Sequence, residues 1–246
     1  MSDEPASRRA QAFDLGVAAY RRARPSYPDD AVRWLVPRPG CRVLDLAAGT
    51  GKLTERLVAL GYDTLAVEPS DGMREELVRV APGATVAVGT AESIPFPPEA
   101  FDAVVVAQAW HWFDASRAGR EIRRVLRPGG SLGVTWNVRD HRVGWVDELT
   151  EILHRGDSLE PFHGEPDLGE HFGRVEHATF LWSHRLPAGD LRVLAASRSH
   201  TLTLPVEERE ALLDEVDRLA ATHPDLVGRD EVELPYRTEC WRATAV

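Results

Sequence analysis

A chain of 246 residues with 43% hydrophobic content is long enough for one large α/β domain with a real core. Its net charge of −10 argues against a polyanionic partner such as nucleic acid, which requires a basic face, and favours a small-molecule ligand. Two cysteines, Cys41 and Cys240, are too few for a disulfide framework or a thiolate metal site, and no signal-like or membrane-length apolar run occurs, so a cytoplasmic protein without membrane contact is expected.

Residues 1–10 are polar and charged and read as a mobile tail. From Gln11 to Arg24 the pattern is helical, and it ends at Arg24-Pro25-Ser26-Tyr27-Pro28, where the prolines forbid continuation. Tyr20 and Arg24, four residues apart, share one face of this helix; its other arginines, Arg21 and Arg22, read as a solvated surface. A second helix, about Asp29 to Leu35, leads through Pro37-Arg-Pro-Gly40 into the most informative stretch of the chain, Cys41 to Thr54. Val43-Leu44-Asp45-Leu46 is a short apolar run of the kind expected for a parallel strand covered on both faces. Gly49 and Gly51 then allow a sharp turn and a close ligand, and a helix starting near Thr50 or Gly51 points its free N–H groups into that turn.

Three nucleotide sites compete for this pattern. A P-loop requires Gly-x-x-x-x-Gly-Lys-Ser/Thr, but Leu46 stands at the first glycine and Leu53 follows Lys52, so that reading fails twice. A dinucleotide fingerprint, Gly-x-Gly-x-x-Gly, puts Thr54 at its third glycine and is weak. The third pattern is Asp-x-Ala-x-Gly-x-Gly, with Asp45 at the strand end, where an acid repels phosphate and suits a ligand bearing an ammonium group and hydroxyls. Here the chain resembles the class I S-adenosylmethionine-dependent methyltransferases, whose first motif is matched from Val43 to Gly51. The resemblance implies that Asp45, Ala47, Gly49, Thr50 and Gly51 hold S-adenosylmethionine, released as S-adenosylhomocysteine. It also implies a doubly wound, mostly parallel, seven-stranded Rossmann-like sheet with helices on both faces and one antiparallel strand near the end.

The helix after Gly51 carries Leu53, Leu57, Val58 and Leu60 and stops at Gly61. A second strand, Thr64 to Glu68, ends in an acid that can accept both ribose hydroxyls, with Pro69 beside it. Met73, in the next helix, is either core or an apolar plate for adenine; the resemblance implies the plate. After a third strand, Thr85 to Gly89, the related segment usually has an acid reading the adenine amino group, where this chain has Thr90. The backbone of Ala91, with Glu92 nearby, is the expected substitute. A fourth strand, Phe101 to Ala107, delivers Gln108-Ala-Trp-His-Trp-Phe-Asp114 to the sheet's carboxyl edge, where open α/β sheets bind ligands. Gln108 is assigned to the cofactor. Trp110, Trp112 and Phe113, with Trp136 at the end of a fifth strand (Ser131 to Trp136), either cover the sheet edge as core or shield a sulfonium and its acceptor. His111 is either structural or the catalytic base.

After Trp136 the alternation is lost. Helices are expected at about Val143–Leu153, Asp190–Ser199 and Val206–Ala221, strands at Val175–His184 and Glu231–Ala243, and a loop from Gly156 to Gly173. His163, His171 and His177 match no metal-ligand spacing and read as loop histidines. The chain is thus expected to be one domain, with lid helices at 11–40, a cofactor core at 41–137 and substrate-side structure with the closing strands at 138–246.

Tyr-x-x-x-Arg-Pro-x-Tyr-Pro resembles the N-terminal lid of small-molecule methyltransferases. That resemblance implies cofactor contacts from Tyr20 and Arg24 and an acceptor contact from Tyr27. Together with Ala-Gln-Ala-Trp-His-Trp-Phe it is similar to the type 11 group, which includes trans-aconitate-type and quinone methyltransferases, so O- or C-methylation of a small molecule is expected. The nucleic-acid tetrapeptide Asp/Asn-Pro-Pro-aromatic is replaced by Gln108-Ala-Trp-His111. Alternative functions are a non-catalytic S-adenosylmethionine-binding module or partner subunit, and a nicotinamide-dependent oxidoreductase, which Thr54 disfavours.

Overall fold

The computed structural model describes residues 23–36, 38–156 and 164–246. The expected tail, most of the first helix with Tyr20, Arg21 and Arg22, as well as Pro37 and His163, lie outside the described residues. Seven strands form one mixed sheet in the order β3-β2-β1-β4-β5-β7-β6: β1 Arg42–Leu46, β2 Asp63–Val67, β3 Thr85–Ala87, β4 Phe101–Ala107, β5 Leu126–Arg139, β6 Glu176–Pro187 and β7 Glu231–Thr244. The pairs β1–β2, β1–β4, β2–β3 and β4–β5 are parallel. Strand β7 runs the other way. Thr135 of β5 bonds the carbonyl of Glu239, and Gly130, earlier in β5, accepts from Ala245, just past the end of β7.

The chain divides into two compact units. The first comprises residues 26–138, 163–182 and 237–246. Its central strands are buried as the sequence predicts: Val43, Leu44 and Leu46 of β1 and Val104, Val105 and Val106 of β4 lie at 0–1% exposure. Helices α1 Asp29–Leu35 and α2 Lys52–Ala59 share a core cluster with β1 and β4, in which Val32, Leu35, Leu53 and Leu57 meet Val43, Ala103, Val105, Cys41 and Cys240. Only Leu53, Thr54 and Leu57 are buried on α2; Val58 and Leu60 are half-buried. Helices α3 Asp71–Val80 and α4 Ala115–Val125 complete the crossovers, the latter started by Asp114, whose carboxylate accepts the Arg117 N–H at 3.1 Å.

The other unit comprises the described parts of residues 1–25, 139–162 and 183–236. It holds helices α5 Gly144–His154, α6 Asp190–Ala196, α7 Ser199–Thr203 and α8 Val206–Thr222, with α5 and α6 both packed on α8. Leu212, Val216 and Leu219 repeat at helical spacing and are buried, and Arg192 of α6 pairs with Glu210, Asp214 and Asp217 along α8.

Two sequence expectations change. Strand β5 starts at Leu126, five residues before the expected Ser131, because a register irregularity between Phe101 and Ala103 absorbs Arg127-Pro-Gly-Gly130 while pairing continues. The helix expected over 190–199 ends at Ala196, and a short α7 follows.

Replacing Leu57, fully buried in the shared cluster, by alanine is expected to lower the unfolding free energy by about 2–5 kcal/mol. Denaturant titration reads this directly; a loss below about 1 kcal/mol would show that the cluster closes over the gap.

Candidate active site

Strand β1 carries the chain out of the core at Leu46, and the next residues reverse it tightly. Ala47 adopts φ 57° and Gly49 φ 57°, while the Ala48 N–H reaches back to the Val67 carbonyl at 3.0 Å. Gly51 adopts φ 84°, and a Cβ there would stand 3.1 Å from both Leu77 Cγ and Val80 Cγ2, so glycine is required for conformation and for packing on α3. Around Gly49 a Cβ would meet, among the described residues beyond its chain neighbours, no atom within 4 Å, which leaves that side of the turn room for a ligand.

Two carboxylates organise the turn. Glu68, 5% exposed at the end of β2, accepts the Gly49 N–H on Oε2 and the Ser70 N–H on Oε1, each at 2.9 Å. It therefore joins the loops that follow β1 and β2, and a lone pair on each oxygen remains for hydroxyl donors. Arg74 supports the same corner by donating to the carbonyls of Glu68 at 2.8 Å and Pro69 at 2.7 Å. Asp45 lies deeper, at 1% exposure; Thr54 on α2 donates to its Oδ2 at 2.6 Å, and its Oδ1 is buried without a hydrogen-bond partner. Burial pushes the Asp45 pKa up to about 7, partly offset by the Thr54 hydrogen bond. Thr54, which spoils the dinucleotide fingerprint, is thus the residue that holds the acid of the third pattern.

The next two loops are joined to each other. Thr90 and Ser93 pair their backbones around buried Ala91, and Glu92 accepts the Asp114 N–H at 3.1 Å, tying the segment after β3 to the segment after β4. Gln108 adopts φ 59°, and its N–H bonds the Thr135 carbonyl at 2.9 Å while its amide reaches the Asn137 carbonyl at 3.3 Å. Two non-glycine residues with positive φ, Ala47 and Gln108, therefore sit at the carboxyl ends of the adjacent strands β1 and β4, where backbone strain marks functional loops.

The aromatic residues part company. A 3₁₀ turn over Trp110–Trp112 buries Trp110 to 6%, with its indole N–H on the Asp167 carbonyl at 3.1 Å and its ring edge-on to Phe113 at 5.6 Å. Trp112 is 61% exposed, so the core reading fails for it. Trp136 is buried and packs edge-on to Trp241, which stacks on His177. Met73 is 43% exposed, which removes the core alternative for that residue too. His111 is exposed, in ring contact with Trp112 at 4.7 Å, and the protein around it lowers its pKa below the ordinary imidazole value by desolvation.

Tyr27, Arg24 and His177 each have their own setting. Tyr27 is buried in the cluster of α1, α2 and β1. Arg24 belongs to the helical unit, where its guanidinium donates to the Ser197 carbonyl. His177 bonds Glu239 at 2.9 Å, and among the described residues no group of histidines, cysteines and acids is suited to a metal. Residues that the sequence reading missed are Thr54, Arg74 and Asn137; Asn137 links the Ser26 carbonyl to the Thr238 hydroxyl.

This geometry can be set beside known proteins. An uncharacterized methyltransferase of Mycobacterium tuberculosis is 48% identical over 240 residues, covering 97% of this chain and 98% of that one. The chain belongs to the methyltransferases. The methyltransferase domain family matches residues 44–134, the span from β1 to β5 that contains the turn, both carboxylates and Gln108. An uncharacterized methyltransferase-like protein of Schizosaccharomyces pombe is similar to this methyltransferase at 35% identity, over 92% of each chain. A solved structure from Anaeromyxobacter dehalogenans, assigned as a type II methyltransferase, has the same fold, with a TM-score of 0.65 and 26% identity over 90% of this chain and 96% of that one.

The raised pKa of Asp45 has a signed consequence. A group whose folded-state pKa exceeds its unfolded value, here about 7 against 3.8, contributes stability that is present below the unfolded pKa and is lost as pH rises through the folded one. The ligand-free wild type is therefore expected to lose melting temperature relative to Asp45→Asn as pH rises from about 4 to about 7, with the difference constant above that. Parallel melting curves across this range would disprove the protonated aspartate.

Proposed function

We propose that the glycine turn between β1 and α2 binds S-adenosylmethionine and that the methyl group passes to a small-molecule acceptor at oxygen or carbon. The observation that carries this reading is Asp45 Oδ1, a buried oxygen without a partner at the head of a turn whose Gly49 side is open. A ligand ammonium group supplies what that oxygen lacks, and the remaining lone pairs of Glu68 suit a pair of ribose hydroxyls. Exposed Met73 offers its thioether as an apolar plate for the base, Pro69 and Thr50 flank the turn, and the Ala91 backbone with Glu92 and Gln108 completes the cofactor contacts.

Bound there, the cofactor supplies a methyl group on a positively charged sulfur, which needs no further activation, so the protein contributes mainly by positioning. Trp112 presents an exposed ring face that favours a cation. His111, whose pKa desolvation holds below the ordinary imidazole value, can accept a proton from a hydroxyl or an acidic carbon. The net charge of −10 supports a small molecule over nucleic acid as acceptor. The lid reading of Tyr20, Arg24 and Tyr27 and the acceptor contacts of Trp110 and Trp136 belong to the same proposal; burial of Trp110 and Trp136 makes them walls behind the site.

Calorimetry with S-adenosylhomocysteine tests the cofactor half. Binding is expected to weaken at least tenfold in Glu68→Ala. At pH 6.5 it is expected to release a proton in the wild type, seen as a dependence of the enthalpy on buffer, because an ammonium group beside Asp45 favours its ionised form. Neither effect in a protein that binds the product would remove Glu68 and Asp45 from the site.

For the chemical half, His111→Ala should leave product affinity intact and lower turnover by about 10²–10⁴-fold on an acceptor that must lose a proton. Undiminished turnover on a phenol or carbon acid would exclude His111 as the base.

A further inference from the structure

Asp45 is held by a side chain that has no place among the cofactor contacts. Thr54, in the first turn of α2, is fully buried, and its hydroxyl donates to Asp45 Oδ2 at 2.6 Å. Oδ1 has no hydrogen-bond partner among the described residues, so one oxygen of this carboxyl is satisfied from the helix and the other is open. With Oδ2 accepting from Thr54, the neutral acid carries its proton on Oδ1, the oxygen that a ligand ammonium group would meet.

Few charges reach this carboxyl. Strand β2 ends in Glu68, whereas β4, which pairs Val105 with Asp45, carries its charge at the opposite edge, where Asp102 accepts the Arg42 N–H. Helix α2 carries Lys52 and Glu55, and α3 carries Arg74, which is turned to the Glu68 and Pro69 carbonyls and to Asp71. Of these charges Glu68 is the one that acts on Asp45. Burial raises the Asp45 pKa most, and Glu68 adds to the rise, leaving it at about 7. What favours the charged form comes from Thr54, first its hydroxyl and then its backbone N–H.

An ammonium group is attracted to a carboxylate and not to a neutral acid, so a ligand that places one at Oδ1 sends the proton there to solvent. Uptake therefore becomes easier as pH rises toward about 7 and levels off above it. Anything that favours the carboxylate before the ligand arrives moves that limit to lower pH.

We propose that the Thr54 hydroxyl is the positioning group that governs the pH range over which the glycine turn takes up S-adenosylmethionine. It occupies Oδ2, reserves Oδ1 for the ligand, and holds ready the charged form that the ammonium group requires. This rests on the cofactor reading above and adds a regulator to it.

The test is calorimetry on the full chain with S-adenosylhomocysteine, in two buffers of different ionisation enthalpy so that released protons are counted. The wild type is expected to release about a quarter of a proton at pH 7.5, the share of an acid of pKa about 7 still protonated there. Thr54→Val keeps the shape and the backbone N–H but lacks the hydroxyl, and it should release at least twice as many. Its affinity should fall at least threefold below the wild type at pH 6 and stay within twofold at pH 8.5, and Thr54→Ser should restore both quantities. Equal weakening at both pH values, with an unchanged or smaller proton count, would reduce Thr54 to a packing residue and overturn the proposal while the cofactor reading stands. If Thr54→Val binds no S-adenosylhomocysteine, the ligand-free proteins decide. The melting-temperature gap between wild type and Asp45→Asn levels off near pH 7, and the gap between Thr54→Val and Thr54→Val/Asp45→Asn should level off at higher pH; the same limit in both pairs overturns the proposal. A wild type that binds no S-adenosylhomocysteine at any pH overturns the cofactor reading and the gating of uptake together.

Discussion

The carboxylate of Glu68 sits between two loops that would otherwise have no fixed relation. Its two oxygens take the backbone N–H groups of Gly49 and Ser70, 2.9 Å on each side, so the turn after β1 is positioned by the strand beside it. Buried backbone donors must find acceptors; within the turn the Ala48 carbonyl takes the Gly51 N–H at 3.0 Å, and the Gly49 N–H goes to Glu68. Asp45 repeats the arrangement one layer down, where Thr54 of α2 ties the helix start to the strand end. The shape of the glycine turn is therefore set by carboxyl oxygens that are already partly engaged, and a ligand there would meet an arrangement held before it arrives.

How much of this was legible depended on the range of the interaction. The bounds of β4 are those expected, because seven consecutive residues of apolar and β-branched character between turn signals permit little else. The mostly parallel seven-stranded sheet with one antiparallel strand and the glycine turn followed from one motif and the resemblance it carries. What the sequence hid were contacts across loops. Thr54 looks like a defect in a dinucleotide fingerprint until its hydroxyl is seen on Asp45, and nothing local distinguishes Arg74 from its neighbours. The tryptophans show the same limit. Trp110 and Trp112 are two apart in an aromatic run, and only the 3₁₀ turn, which sends one ring inward and the other to solvent, separates them. The length of β5 was misread because Pro and Gly normally stop a strand, while here the pairing irregularity carries it past them.

Net charge proved a coarse guide of the same kind. A total of −10 describes the surface, where Arg192 and its three acidic partners on α8 show how densely opposite charges alternate. It does not describe the neighbourhood of Arg139, which lies within electrostatic reach of Arg198 and Arg24. Electrostatics acts over a few ångströms inside protein, and an average over the chain cancels the part that matters to a ligand.

Both cysteines lie in the cluster that joins α1, α2, β1 and β4. Cys240 is fully buried 3.3 Å from the Thr135 hydroxyl, and burial pushes its pKa to about 12; the Cys41 thiol is raised as well. A thiol in that condition reacts with alkylating reagents only when the structure around it opens. The protein thus carries two internal clocks in the core cluster beside the glycine turn. The rate at which a thiol reagent consumes them measures how often that unit opens, and any ligand that closes the glycine turn will slow both at once.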